Sequence, residues 1–335
     1  MRRLTVAALA ALTLAGATGC AAAADGTGAG RPGDRDPAKL ERLVQVSSVH
    51  EAIGMTLIEG PVIGPDGNLY VVDVTAPPGA AKVMRVDLES TEVSTVYTDD
   101  TSAITSAQFS PHDDRLYLTD FLGSIISTTA DGEDPRTFFD AELEGVRMAP
   151  DDIAFDEEGH LYVTDSQGAQ DPYWEASGRL LRIDRDGQTA TVLASDLPAP
   201  NGLAFTRESD GLWVSQNTGN RIDFLRLDAE GTAVATAHPA VFASVGEAQI
   251  DSLATDADGN LYVGLHHRAA VLVYDTHGEL LTTIEAPAGD DVTSATNVAI
   301  VPGETTGYAT VSGPGGGFVY TFEALADGIR SSNGG

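Results

Sequence analysis

The chain has 335 residues, 42% of them hydrophobic and 21% charged, and its 19 Lys and Arg against 50 Asp and Glu leave a formal charge of −31. No basic cluster follows Arg2 and Arg3, so a nucleic-acid partner, which needs a face rich in lysine or arginine, is excluded. The single cysteine excludes an intrachain disulfide, a CxxC redox pair and a thiolate metal cluster.

In chain order, Arg2 and Arg3 precede an apolar run from Leu4 to Leu14 that is too short to span a bilayer and has the character of an export signal. The segment ends Ala17-Thr18-Gly19-Cys20, which resembles a bacterial lipoprotein cleavage box, with Ala17 where a larger aliphatic residue is usual. Residues 1–20 are therefore expected to be a lipoprotein-type signal with Cys20 lipidated, plain secretion being the alternative. The expected location is the extracytoplasmic face of the membrane, touched only through that anchor. Removing Arg2 and Arg3 takes the charge from −31 to about −33. Residues 21–40 carry Gly26, Gly28, Gly30, Pro32 and Pro37 without apolar periodicity and are expected to form a flexible tether.

Six later segments share an apolar stretch, an Asp/Gly turn and an aromatic-centred strand. The aromatics are Tyr70, Tyr117, Tyr162, Trp213, Tyr262 and Tyr308, at intervals of 47, 45, 51, 49 and 46 residues. Each interval holds about four short strands, as in Ser252–Asp256, Asn260–Leu265, Ala270–Tyr274 and Leu280–Glu285. Residues 41–335 are thus expected to form an all-β, six-bladed β-propeller around a central channel. Leu40, Leu43 and Val44 suit a helical turn or an opening strand. The stretch from Val44 to Val49 is expected to supply an outer strand of the last blade, closing the ring.

In such a ring the first strand of each blade lines the channel, so equivalent positions share one rim. Eleven residues before the aromatics stand Glu59, Ser106, Asp151, Asp251 and Asn297, and one extra residue in the fourth unit brings in Asn201. Several carboxylates around one mouth repel, and a bound cation relieves that conflict. Carboxylate and amide oxygens form a hard donor set suited to Ca²⁺, Mg²⁺ or Mn²⁺ more than to Zn²⁺. Taken one at a time, these residues equally suit strand caps and turns.

The sequence resembles the SMP-30/gluconolactonase family, and within it the bacterial Drp35-type lactonases, over roughly residues 50–330. The resemblance rests on Ile58-Glu59-Gly60-Pro61, Asp151-Asp152-Ile153-Ala154-Phe155-Asp156 with Leu161-Tyr162-Val163-Thr164-Asp165, Asn201-Gly202-Leu203-Ala204, Asp251-Ser252, Asn260-Leu261-Tyr262-Val263, and Gly315-Gly316-Gly317 before Asp327-Gly328. It implies a metal held by Glu59, Asn201 and Asp251, with Asp152 and Ser252 assisting the metal or the attacking water. Asp152 and Asp251 are the implied proton acceptors, and Ca²⁺ is the implied ion. A second ion beside Asp151 is in doubt, because Glu142-Leu143-Glu144-Gly145-Val146-Arg147-Met148 departs from the related ligand pattern. The implied activity is metal-dependent opening of a small-molecule lactone to a hydroxy acid. The alternatives are a noncatalytic surface propeller binding a peptide or glycan, and a related esterase or phosphoesterase.

Other constellations carry less. His266-His267 follow a second strand toward the same rim, and strand alternation lets at most one enter the channel. Asp73, Asp120 and Asp165 end second strands, as orienting groups or as turn residues. Asp256-Ala257-Asp258-Gly259 reads as a hairpin and Gly313 to Gly317 as a turn. Tyr173 and Trp174 could wall the mouth or pack in a loop. No GxSxG elbow supports covalent catalysis.

Overall fold

Short runs rich in Val, Ile, Leu and Tyr, broken by Gly, Asp and Asn, fold here as antiparallel strands. The computed structural model describes residues 39–243 and 246–330, so the expected signal, Cys20 and most of the tether lie outside the described residues. After β1 (Glu41–Ser47), one four-stranded sheet comprises β2 (Ile58–Ile63), β3 (Leu69–Asp73), β4 (Ala81–Val86) and β5 (Val93–Thr98). A second comprises β6 (Ile104–Phe109), β7 (Leu116–Asp120), β8 (Ser124–Thr128) and β9 (Arg136–Phe139). The third holds β10 (Pro150–Phe155), β11 (Leu161–Asp165), β12 (Gly178–Ile183) and β13 (Ala190–Leu197). The fourth holds β14 (Pro200–Phe205), β15 (Gly211–Gln216), β16 (Arg221–Leu227) and β17 (Val234–Phe242).

An eight-stranded sheet contains β18 (Gln249–Thr255), β19 (Leu261–His266), β20 (Ala270–Tyr274), β21 (Leu280–Glu285), β22 (Ser294–Ile300), β23 (Thr306–Gly313), β24 (Gly316–Glu323) and β1. Its two groups of four pair strand to strand at Leu265 and Ala295. β1 runs antiparallel to β24 and covers its edge, so Leu43 and Val44 belong to a strand, as the closing-strand expectation held, and not to a helical turn. Among the described residues the one helical element is a 3-10 turn at Tyr173–Glu175.

The first strands pack side by side in a closed circuit: β2 on β6, β6 on β10, β10 on β14, β14 on β18, β18 on β22, and β22 on β2. Between sheets the cores are apolar, for example Val62, Tyr70, Val72 and Val83 against Ile104, Leu116 and Leu118. In three of the sheets the recurrent aromatic meets a phenylalanine ending the next sheet's first strand. Tyr70 packs edge-on against Phe109 with ring centroids 5.0 Å apart, and Tyr117 against Phe155 and Tyr162 against Phe205 do so at 5.1 Å. Such pairs contribute about 0.5–1.5 kcal/mol each beyond simple burial. The repeat is visible in sequence in part because these three units present the same ring to a neighbour, whereas Trp213 packs on Phe224 of its own sheet.

Candidate metal centre

Every first strand breaks register with its second strand near its start. Pairing skips between Glu59 and Val62, Ile104 and Ser106, Pro150 and Ile153, Pro200 and Leu203, Ile250 and Leu253, and Ala295 and Asn297. Asp151-Asp152, Asn201-Gly202 and Asp251-Ser252 sit inside these irregularities, where side chains leave the ordinary two-sided alternation. The glycines are required by crowding. A Cβ on Gly202 would lie 2.5 Å from Ser252 Cα, and one on Gly60, whose φ is +53°, would lie 2.8 Å from the Ala107 nitrogen.

Glu59, Asp151, Asn201 and Asp251 line one cavity of about 510 Å³ at the starts of the first strands. Leu57, Val74 and Phe121 supply apolar wall on one part of the ring, and Asn217, Gln249, His266 and His267 supply polar wall on another. Asn201 Nδ2 donates to Asp151 Oδ2 at 3.1 Å. The Asp151 carboxylate takes the NH₂ end, so the acceptor Asn201 Oδ1 is left over. Asn201 Oδ1 and Asp251 Oδ1 are both buried without a hydrogen-bond partner. Each such orphan costs about 1–3 kcal/mol, and an amide oxygen cannot donate.

Burial, followed by the charges of Asp251, Asp151 and Asp152, pushes the Glu59 carboxyl well above its usual range. Burial and then Asp151 and Asp152 do the same to Asp251. Burial lifts Asp151 to about 6 against the pull of Ser166 and Asn201, and lifts Asp152 to about 7 against the hydrogen bond from Ser106. Among the described residues no three His, Cys, Asp or Glu side chains are gathered as a ligand cluster. The carboxylates are spread round the ring, with the Asn201 amide between two of them. Two orphan acceptors among groups that resist ionisation fit a hard cation, and the donor set fits one that prefers oxygen.

The family model described as the SMP-30/Gluconolactonase/LRE-like region matches residues 57–305. The chain belongs to this family. A lactonase drp35 of Staphylococcus haemolyticus (strain JCSC1435) is 29% identical over 287 residues, covering 82% of this chain and 85% of the relative. A gluconolactonase from Xanthomonas campestris superposes with a TM-score of 0.66 at 22% identity, covering 86% of this chain and 97% of that one. Regucalcin from Agrobacterium tumefaciens strain C58, described as a calcium-binding protein, gives 0.67 at 15% identity, covering 85% and 97%. At those identities the two structures speak for the fold.

Within this SMP-30/gluconolactonase frame the expected site residues divide. Glu59, Asn201 and Asp251 meet at the cavity, joined by Asp151. Asp152, expected at the metal, turns beneath instead: its Oδ1 accepts from Ser106 Oγ at 2.7 Å and the Ile153 amide at 2.9 Å, and Oδ2 accepts from the Leu203 amide at 3.3 Å. Ser252, Ser106 and Asn297 are also buried and do not line the cavity. Of two residues displaced by one register break, Asp151 keeps the cavity and Asp152 enters the wall. Both histidines line the cavity, contrary to alternation, because His267 has left β19 with φ +63°. Burial, and then His267, lowers His266 to about 4, so its imidazole is neutral near pH 7.

The strand-ending aspartates serve the chain rather than the cavity. Asp73 accepts from Ser47, His50 and Thr75, Asp120 from the Ala103 and Leu122 amides, and Asp165 from the Ala149 amide. Asp165 also pairs with buried Arg179, which donates to the Leu143 and Val146 carbonyls and so ties down the stretch before Asp151. Trp174 is 71% exposed and is not part of the cavity wall.

Proposed function

We propose that this protein is a divalent-cation-dependent lactonase built on a six-bladed propeller, with the cation held by Glu59, Asp151, Asn201 and Asp251. The observation that carries the proposal is the pair of buried, partnerless oxygens on Asn201 and Asp251 within a ring of carboxylates. The six-blade count is supported by the circuit of first strands, and the lactone substrate by the drp35 relatives. Ca²⁺ is the favoured ion, since the donors are all oxygen and a regucalcin shares the fold; Mg²⁺ and Mn²⁺ follow, and Zn²⁺ suits the set least.

The cation, when bound, supplies Lewis acidity toward the lactone carbonyl oxygen. The chain supplies the rest. Leu57, Val74 and Phe121 give the substrate an apolar wall that limits bulk water, and the polar wall opposes it. Asp251 is the proton acceptor, because Asp152 and Ser252 lie outside the cavity. A water oxygen bonds to the carbonyl carbon, its proton passes to Asp251, and the ring C–O bond breaks as that proton is delivered to the departing oxygen. The product is a hydroxy acid, whose anionic form an acidic protein repels.

The test is hydrolysis of a lactone panel before and after chelation, with Ca²⁺, Mg²⁺ or Mn²⁺ restored separately. Activity should vanish on chelation and return with Ca²⁺, and turnover indifferent to chelation rejects the mechanism. Ion binding without turnover of any lactone would favour a noncatalytic binding propeller, and turnover of phosphoesters alone a phosphoesterase. We also propose export with lipidation at Cys20; detergent-phase partitioning of the full chain, lost in Cys20→Ala, is the expected result.

A further inference from the structure

The second strands carry a hydroxyl at a restricted set of equivalent positions. Two residues after each recurrent aromatic stand Val72, Thr119, Thr164, Ser215, Gly264 and Thr310. Thr119, Thr164 and Ser215 are fully buried and lie on three successive sheets. Each accepts from an amide in or bordering its own sheet's register break and donates to a carbonyl in the next sheet's break. Thr119 Oγ1 accepts from the Ser106 amide at 2.6 Å and donates to the Asp151 carbonyl at 2.9 Å. Thr164 Oγ1 accepts from the Asp152 amide at 2.9 Å and donates to the Asn201 carbonyl at 2.5 Å. Ser215 Oγ accepts from the Gly202 amide at 2.7 Å and donates to the Asp251 carbonyl at 2.6 Å.

The distribution follows the cavity. The three carbonyls reached are those of Asp151, Asn201 and Asp251, all of which line it. The positions without a hydroxyl, Val72 and Gly264, precede the sheets bearing Ser106 and Asn297, which do not. Glu59, the third cavity carboxylate, follows Ile58, whose carbonyl accepts from Thr296 Oγ1 at 3.1 Å in the preceding sheet. A carboxylate or amide in a broken register lacks regular ladder bonds to fix its backbone, and a hydroxyl bridging two sheets restores that constraint.

We propose that Thr119, Thr164 and Ser215 are positioning residues that set the spacing of Asp151, Asn201 and Asp251 across the sheet boundaries. This rests on the cavity being a cation site. The variants are Ser215→Ala and Thr164→Val, with Ser215→Thr as the conservative rescue, because threonine already occupies the matching place in two neighbouring sheets. The control is Thr255→Val, which removes another buried hydroxyl between sheets, donated to the Phe205 carbonyl at 2.9 Å at the far end of β18.

The readout is Ca²⁺ affinity by titration calorimetry, at a temperature where all variants are folded by circular dichroism. Ser215→Ala and Thr164→Val should each weaken binding about tenfold, as loss of groups orienting a ligand does. Ser215→Thr should lie within about twofold of wild type, and Thr255→Val should keep wild-type affinity whatever its melting temperature. Equal losses in Thr255→Val and Ser215→Ala, or wild-type affinity in both site-end variants, overturn the proposal. If either site-end variant fails to fold, the proposal is decided by the other. A wild type that binds no Ca²⁺ defeats the cation reading instead. Hydrogen exchange at the Asp152 and Gly202 amides then decides this one: faster exchange in Thr164→Val and Ser215→Ala, but not in Thr255→Val, supports it, and unchanged exchange rejects it.

Discussion

The two ends of the first strands use the same residue type in opposite ways. At the far end, the turn aspartates are saturated with donors: Asp256 accepts from the Asp258 and Asn260 amides, from Asn260 Nδ2 and from the Tyr262 hydroxyl. Asp66 and Asp275 sit in equivalent or similar turns. Burial raises Asp66 but the hydrogen bonds from Asn68 outweigh it, and the Glu279 amide followed by that of His277 lowers Asp275. At the cavity end, Glu59 and Asp251 are buried beside other carboxylates and raised, and Asp251 is left with an unsatisfied oxygen. The lesson is that an aspartate's neighbours, not its frequency in a repeat, separate a turn residue from a ligand.

The largest expected effect breaks the cavity end. Glu59→Gln should reduce kcat/KM for lactone hydrolysis on the order of 10²–10³-fold, the scale for losing one group that stabilises transition-state charge. Its melting temperature without added ion should equal or exceed that of wild type, because a buried charge has gone. Asp256→Ala should do the reverse. Losing the acceptor for four donors should cost about 2–3 kcal/mol, seen as a lower midpoint in urea, while kcat/KM stays within about twofold. If both variants lose activity and stability together, the division between the ends is wrong.

A pH series sharpens the contrast. Carboxyls raised in the fold, to about 6 for Asp151 in the cavity and about 7 for Asp152 in the wall behind it, hold protons that the unfolded chain has already released. Between the unfolded value of about 4 and the folded value, the native state therefore binds more protons, and stability falls as pH rises. Chelated protein should lose stability from about pH 4 to 7, by up to about 1.4 kcal/mol per pH unit for each such carboxyl. With saturating Ca²⁺, binding requires the ionised carboxylates, so the slope should flatten or reverse. Denaturant midpoints across that range, with and without Ca²⁺, measure it, and identical slopes would separate the raised carboxyls from cation binding.

Much of this was legible in the sequence, for physical reasons particular to each residue. The period showed because Tyr70, Tyr117 and Tyr162 must each meet a phenylalanine of the next sheet. Glu59, Asp151, Asn201 and Asp251 showed because register-matched positions share a rim, though the same count also offered Ser106 and Asn297, which do not line the cavity. Asp152 was implied by the resemblance and not by the register, and it shares with Asp151 one break in which alternation fails. His267 was lost to a left-handed residue that no spacing announces. Thr164 and Ser215 were visible as a pattern beside the aromatics, but only coordinates reveal that their hydroxyls reach another sheet.

The smallest expected effect tests the apolar wall within the cavity end itself. Phe121 lies in the turn after β7, lines the cavity and is 37% exposed, so its ring offers a substrate surface not yet used in packing. Partial burial of that ring by a ligand is worth about 1 kcal/mol at the usual hydrophobic yield per unit area. Phe121→Ala should therefore raise KM about three- to tenfold for a lactone bearing an alkyl or aryl substituent, with kcat within about twofold, and leave an unsubstituted lactone nearly unaffected. A matching loss with both substrates would mean that the ring orders the mouth instead of contacting the substituent, and the apolar side of the cavity would then be scaffold, like the turns at the other end of the strands.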